Sequence, residues 1–104
     1  MNRHYYELST RYDARQSFYG KALVEIEEVE AFGTKYVNKT LISYGHEVVR
    51  IRADKNEIRL TPLWDESQTT LRHVREFLKQ EGIKVGNYSK KEIADFFKDK
   101  IEQE

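Results

Sequence analysis

The 104 residues suffice for one domain and are too few for two, and eighteen Lys and Arg balance eighteen Asp and Glu. Hydrophobic residues make up 38% of a chain with no cysteine, which argues against disorder and removes disulfides, thiolate catalysis and sulfur-based zinc sites. Neutrality lowers the expectation of a protein built mainly to grip duplex DNA, where phosphate neutralisation supplies most of the affinity.

Chain order then sets the elements. The start, Met1-Asn2-Arg3-His4-Tyr5-Tyr6, has no apolar stretch of a secretion signal, and no apolar run exceeds Ala22-Leu23-Val24. The expectation is therefore an intracellular, soluble, single domain over 1–104. Residues 3–9 are a candidate first strand. Ala22, Val24 and Ile26 alternate with Leu23, Glu25 and Glu27, as a half-buried strand requires. To bring Thr40 and Ile42 onto the same inner face, the loop around Phe32-Gly33-Thr34 should hold three residues with Gly33 left-handed. Tyr44-Gly45-His46-Glu47 suits a two-residue turn with Gly45 in the first central position, pairing Ile42 with Val49 and Thr40 with Ile51. A second tight turn at Lys55-Asn56 sets Arg52 opposite Arg59 and Ile51 opposite Leu60. Val49, Ile51, Ala53, Ile58 and Leu60 then share the inner face, with Tyr19, Leu23 and Leu41 on the outer one. Either the helices leave part of that outer face uncovered, or it meets a partner.

Beyond residue 65 the period changes. Leu71, Val74, Phe77 and Leu78 mark a helix over about 68–81, ended by Gly82 with Ile83 touching Leu78, and begun by Asp65 or Ser67. Ser89-Lys90-Lys91-Glu92 is a capping box with Tyr88 and Ile93 as staple, opening a helix over about 90–102 that buries Ile93, Phe96, Phe97 and Ile101. The fold class is α+β: a four- or five-stranded antiparallel meander over about 3–64, followed by two C-terminal helices packed on one face.

Chemistry is sparse. No serine lies in a nucleophile elbow, and Gly82-Ile83-Lys84-Val85-Gly86 follows a helix instead of a strand, so it is a linker and no phosphate loop. His73 and Glu76 lie one turn apart but are too few for a metal site, and a solvated helix face is the preferred reading. Glu25 and Glu27 read likewise as a solvated strand face. Two basic arrays stand out. Arg72, Arg75 and Lys79, with Gln68 completing the line, form a ridge roughly 130° around helix one from the apolar stripe. On the hairpin, Arg50, Arg52 and Arg59 share the outer face, and like charges placed directly opposite need a carboxylate or an external anion. Glu57 can supply the first; a phosphate backbone or an acidic protein surface would supply the second, since the guanidinium fork suits both.

Ser17-Phe18-Tyr19-Gly20-Lys21-Ala22, Tyr44-Gly45-His46-Glu47-Val48-Val49-Arg50-Ile51 and Ser67-Gln68-Thr69-Thr70-Leu71-Arg72-His73-Val74-Arg75-Glu76-Phe77-Leu78 together resemble a family of small proteins from phages and conjugative elements of Gram-positive bacteria. In that family a T-T-x-R-H helix closes the sheet. The resemblance covers about residues 17–82 and implies no catalytic activity and no cofactor. In size and composition the chain is also similar to anti-CRISPR proteins, which inhibit the type II-A effector nuclease Cas9. The implied function is a non-enzymatic, cytoplasmic protein of the bacterial host cell that binds Cas9 or its guide-RNA complex through surface contacts. Arg72, Arg75, Lys79 and Gln68 would be one anchor and Arg50, Arg52 and Arg59 a second. The alternative is a nucleic-acid-binding accessory or regulatory protein of such an element. Pairing of two copies through a sheet edge stays open.

Overall fold

Aromatic–glycine turns, more than strand composition, fix the register of the sheet. The computed structural model describes residues 2–103. Its five strands are β1 (Asn2–Glu7), β2 (Ala22–Ala31), β3 (Thr34–Ser43), β4 (His46–Arg52) and β5 (Glu57–Leu60), antiparallel throughout and ordered β1-β2-β3-β4-β5. The expected meander is thus present, with all five strands.

Two turns differ from the sequence-based expectation. Ala31 pairs with Thr34, so the β2–β3 loop holds two residues, Phe32 (φ 53°) and Gly33 (φ 78°), in place of three. Ser43 pairs with His46, and the central residues of the next turn are Tyr44 (φ 51°) and Gly45 (φ 82°), one position earlier than expected. Successive left-handed residues give the mirror-image type I turn whose twist matches that of the strands. Tyr19 (φ 54°) and Gly20 (φ 74°) repeat the geometry just before β2, closed by the Lys21 N–H on the Phe18 carbonyl.

The shift exchanges the faces of β3. Val24, Leu41, Val49 and Leu60 form one inward row across four strands, and all are fully buried. Leu41 therefore belongs to the core and Ile42 to the outer side, the reverse of the expectation. A β-bulge reconciles this with β4: Leu41 pairs with Val49 and Ile42 with Glu47, leaving Val48 over. Both Val48 and Val49 are fully buried, as the two residues of a bulge on one side of the strand can be. The β4–β5 connection is also longer than expected. A 3-10 turn at Ala53–Lys55 and left-handed Asn56 (φ 49°) replace the tight Lys55-Asn56 turn, so Arg50 faces Arg59, Ile51 faces Ile58 and Arg52 faces Glu57.

Helix α1 (Gln68–Gln80) starts at Ser67, whose side chain accepts the Thr70 N–H. It ends in a Schellman motif: Ile83 N–H reaches the Leu78 carbonyl and Gly82 N–H that of Lys79. Leu71, Val74, Phe77 and Leu78 are buried as expected, but so are Thr70, His73 and Glu76. The helix is covered on a wider arc than its apolar stripe demands. Helix α2 (Lys90–Phe96) carries the full capping box of Ser89 and Glu92 and buries Ile93. It stops well short of residue 102. Ile101 instead forms a parallel bridge to Leu60, with the Leu60 N–H on the Lys100 carbonyl and the Glu102 N–H on that of Leu60. Two main-chain bonds at an otherwise open edge outweigh another helical turn, and Phe96 is left 51% exposed. No helix among the described residues is long and apolar enough to cross a membrane.

The outer sheet face is polar. Arg3 bridges Glu27 at 2.7 Å and the Tyr5 hydroxyl donates to Glu25 at 2.9 Å. Of the three apolar residues expected there, Leu41 is inside, Leu23 is half-buried and Tyr19 projects from its turn.

Candidate anion-binding cleft

The site begins with a carboxylate whose role the sequence did not suggest. Glu76 lies mid-helix and is 1% exposed. Its Oε1 accepts the main-chain N–H groups of Arg11 (3.2 Å), Tyr12 (2.9 Å) and Asp13 (2.9 Å). Oε2 accepts Gln80 Nε2 at 2.6 Å, and the same amide donates to the Ser9 carbonyl. A buried carboxylate persists only with such saturation. Glu76 thereby wraps the β1–β2 connection around α1. Asp13 completes the wrap, accepting the Arg15 N–H (2.8 Å) and Arg72 Nη1 (2.9 Å).

Between this loop and the segment before α2 opens a cleft of about 380 Å³, lined among others by Tyr12, Asp13, Arg72, Arg75, Lys79 and Tyr88. The α1 ridge expected to be basic is its floor. Arg72 is held by Asp13, Arg75 Nη1 donates to the Tyr88 carbonyl at 2.9 Å, and Lys79 Nζ donates to Asn87 at 3.0 Å. Lys79 Nζ also stands 6.0 Å from the Tyr12 ring centroid. Arg75 is half-buried and, among the described residues, has no carboxylate partner. Burial, and then the Arg72 charge, lower its pKa. A cation whose charged form is disfavoured is one that an incoming anion stabilises. Gln68, expected on the same ridge, is exposed at the first helical turn and outside the cleft lining.

The second basic array is neutralised from within. Arg50 binds Glu47 and Glu102, each at 2.9 Å; Arg59 binds Glu57 at 2.8 Å; Arg52 lies 3.5 Å from Asp54. Glu57 stands directly opposite Arg52, yet its carboxylate bonds Arg59 on its own strand, and that hydrogen bond holds it below the usual range. Glu102 arrives from the far end of the chain, so the facing pair Arg50 and Arg59 needs no external anion. Arg50, Arg52 and Arg59 lie on the sheet and do not join the cleft.

His73 is corrected too, since it is fully buried and not solvated. Its Nδ1 lies 2.8 Å from Ser43 Oγ, which lies 3.1 Å from Thr70 Oγ1. Phe18 packs edge-on at 4.4 Å between ring centroids, and Tyr44 covers the ring at 5.7 Å. Burial drives its pKa down to about 4. A serine beside a histidine invites comparison with a nucleophile and its base. Both are fully buried, so no substrate carbonyl can approach Oγ, and among the described residues Nε2 has no carboxylate or other hydrogen-bond partner. This is a polar staple between α1 and the end of β3. Thr70, Arg72 and His73 of the T-T-x-R-H run each tie the helix to another segment. Among the described residues no three His, Asp or Glu side chains are grouped to hold a metal ion.

Sequence reasoning missed Tyr12, Asp13, Asn87 and Tyr88 in the cleft. The available signal was Glu76 with Gln80 at i+4, a polar pair beside the apolar stripe that only a third segment could satisfy.

A family model described as a family of unknown function, DUF8033, matches residues 6–95, and the chain belongs to that family. No curated protein and no solved structure matches it.

Proposed function

We propose that this DUF8033 member is a non-enzymatic protein of a mobile genetic element that works by surface contact, its α1 cleft receiving an anionic group of a host protein. The observation that carries the reading is Arg75, a half-buried guanidinium between Arg72 and Lys79 that has a main-chain carbonyl but, among the described residues, no carboxylate as partner. Following the resemblance in its sequence, the first partner to assay is Cas9 or its guide-RNA complex in the cytoplasm of the bacterial host. The hairpin arginines are withdrawn as a second anchor, because their carboxylates are already in place.

A pull-down from host lysate with a Cas9 cleavage assay alongside tests this. Arg75→Ala should raise the dissociation constant about 30-fold or more, the effect of removing one partner of a desolvated charge pair. Arg59→Ala should leave it unchanged. Equal binding by wild type and the Arg75 variant refutes the site. The second reading, a nucleic-acid accessory protein, is favoured by one observation: Tyr12 and Tyr88 line the cleft beside its cations, as bases stacked on aromatic rings require. Tight, salt-sensitive binding to naked single-stranded DNA would select it.

A further inference from the structure

The two edges of the sheet are treated differently. The β5 edge is occupied at Leu60 by residues 100–102. The β1 edge has no cover among the described residues. The Leu8 N–H donates to the Ala22 carbonyl, and hydrogen-bonded and outward-facing residues alternate along an antiparallel strand. Leu8, Tyr6 and His4 therefore turn their main-chain groups to β2, while Arg3, Tyr5 and Glu7 turn theirs outward. The strand has no proline, no lysine and no bulge to block pairing. It carries instead opposite charges at equal distances on either side of Tyr5. Tyr5 is 55% exposed.

We infer that this edge pairs antiparallel with a second copy of the chain, about a two-fold axis at Tyr5. Arg3 then faces Glu7 of the partner subunit, Tyr5 faces Tyr5 of the partner subunit, and Glu7 faces Arg3 of the partner subunit. All three outward residues are in phase to exchange both main-chain bonds. Any other antiparallel register in the same phase pairs fewer of them and leaves a charge unmatched. Opposite charges directly across a strand pair stabilise it and like charges do the reverse. Arg3 keeps Glu27 on its own sheet while doing so, since the guanidinium carries further donors. Both copies use the same edge, so assembly closes at two and does not propagate. The axis stands perpendicular to the joined sheet, and the helices of both subunits lie on one side of it.

Sedimentation of the full chain over a range of concentrations tests the inference, with circular dichroism reporting the fold of each variant. Wild type should dimerise. Tyr5→Pro should be a folded monomer, because the missing N–H is one that β2 does not use. Arg3→Glu and Glu7→Arg should each weaken self-association about tenfold by setting like charges opposite, and an equimolar mixture of the two should regain a heterodimer in which every facing pair is opposite in sign. A monomeric wild type at every concentration, a Tyr5→Pro variant that dimerises as wild type does, or a mixture that stays dissociated would each overturn it.

Discussion

Replacing Glu76 by alanine tests the tether from which the cleft is built. The substitution strips acceptors from three main-chain N–H groups, at Arg11, Tyr12 and Asp13, and from the Gln80 amide. Hydrogen bonds to a charged group are worth about 1.5–3 kcal/mol each when taken singly. The sum is not reached, because the loop can lift off α1 and let water satisfy its amides, a local opening that caps the loss at roughly 3 kcal/mol. For a chain of 104 residues with an unfolding entropy of about 2 cal/mol/K per residue, that lowers Tm by roughly 12–15 °C. Glu76→Gln keeps a carbonyl oxygen for the three N–H groups but turns an amide against Gln80, so about half the loss is expected. Urea and thermal unfolding give the energies, and hydrogen exchange at residues 11–13 shows whether the loop is the part released. An alanine variant within about 0.5 kcal/mol of wild type, the range of an inert surface change, would refute the tether.

Phe32 is fully exposed at a φ of 53°, so Phe32→Asn removes a left-handed penalty without loss of packing and should raise stability by about 1 kcal/mol in a urea melt. Leu41→Ala should cost about 3 kcal/mol and Ile42→Ala clearly less, which reports directly on the bulged register. His73 has its folded pKa lowered to about 4 by burial, with the Asp13 charge opposing and that of Arg15 reinforcing the shift. The unfolded chain therefore takes up the proton first: the contribution is complete above the unfolded value near 6.5 and is lost as pH falls toward 4, amounting to about 3 kcal/mol. Unfolding free energies measured across that window should slope in wild type and flatten in His73→Gln. Ser67→Ala should cost about 1 kcal/mol of thermal stability through the lost cap.

Local rules carried much of the architecture. Periodicity placed both helices, the cap and staple residues set their starts, and Gly82 set the first end. What failed were the turns and the end of the second helix, which stops at Phe96 because residues 100–102 pair with β5 instead. Phe32-Gly33 and Tyr44-Gly45 lack the asparagine or aspartate that announces a mirror-image turn. One residue fewer in the first loop slips β3 by one and exchanges its faces, and moving the second turn by one position shifts the β3–β4 pairing beside it by two. The bulge at Val48 then hid the error from β4, whose inward residues Val49 and Ile51 were placed correctly. At the cleft, the basic ridge of α1 was legible because helical spacing depends on nothing distant. Its walls were not, since the loop at residues 11–13 and the segment at 87–89 have no period of their own. They stand where Glu76 and Arg75 hold them. The hairpin arginines show the converse: Glu102 lies about fifty positions from Arg50, and no local pattern announces that neutralisation.

The Ser43, Thr70 and His73 contact changes what the T-T-x-R-H run can be used to infer. A signature whose polar members are consumed in docking a helix onto a strand end travels with the scaffold, whatever that scaffold has been recruited to hold. Chains bearing it should share the helix placement while being free to differ in the loop that Glu76 gathers. Differences of ligand among them would belong to that loop.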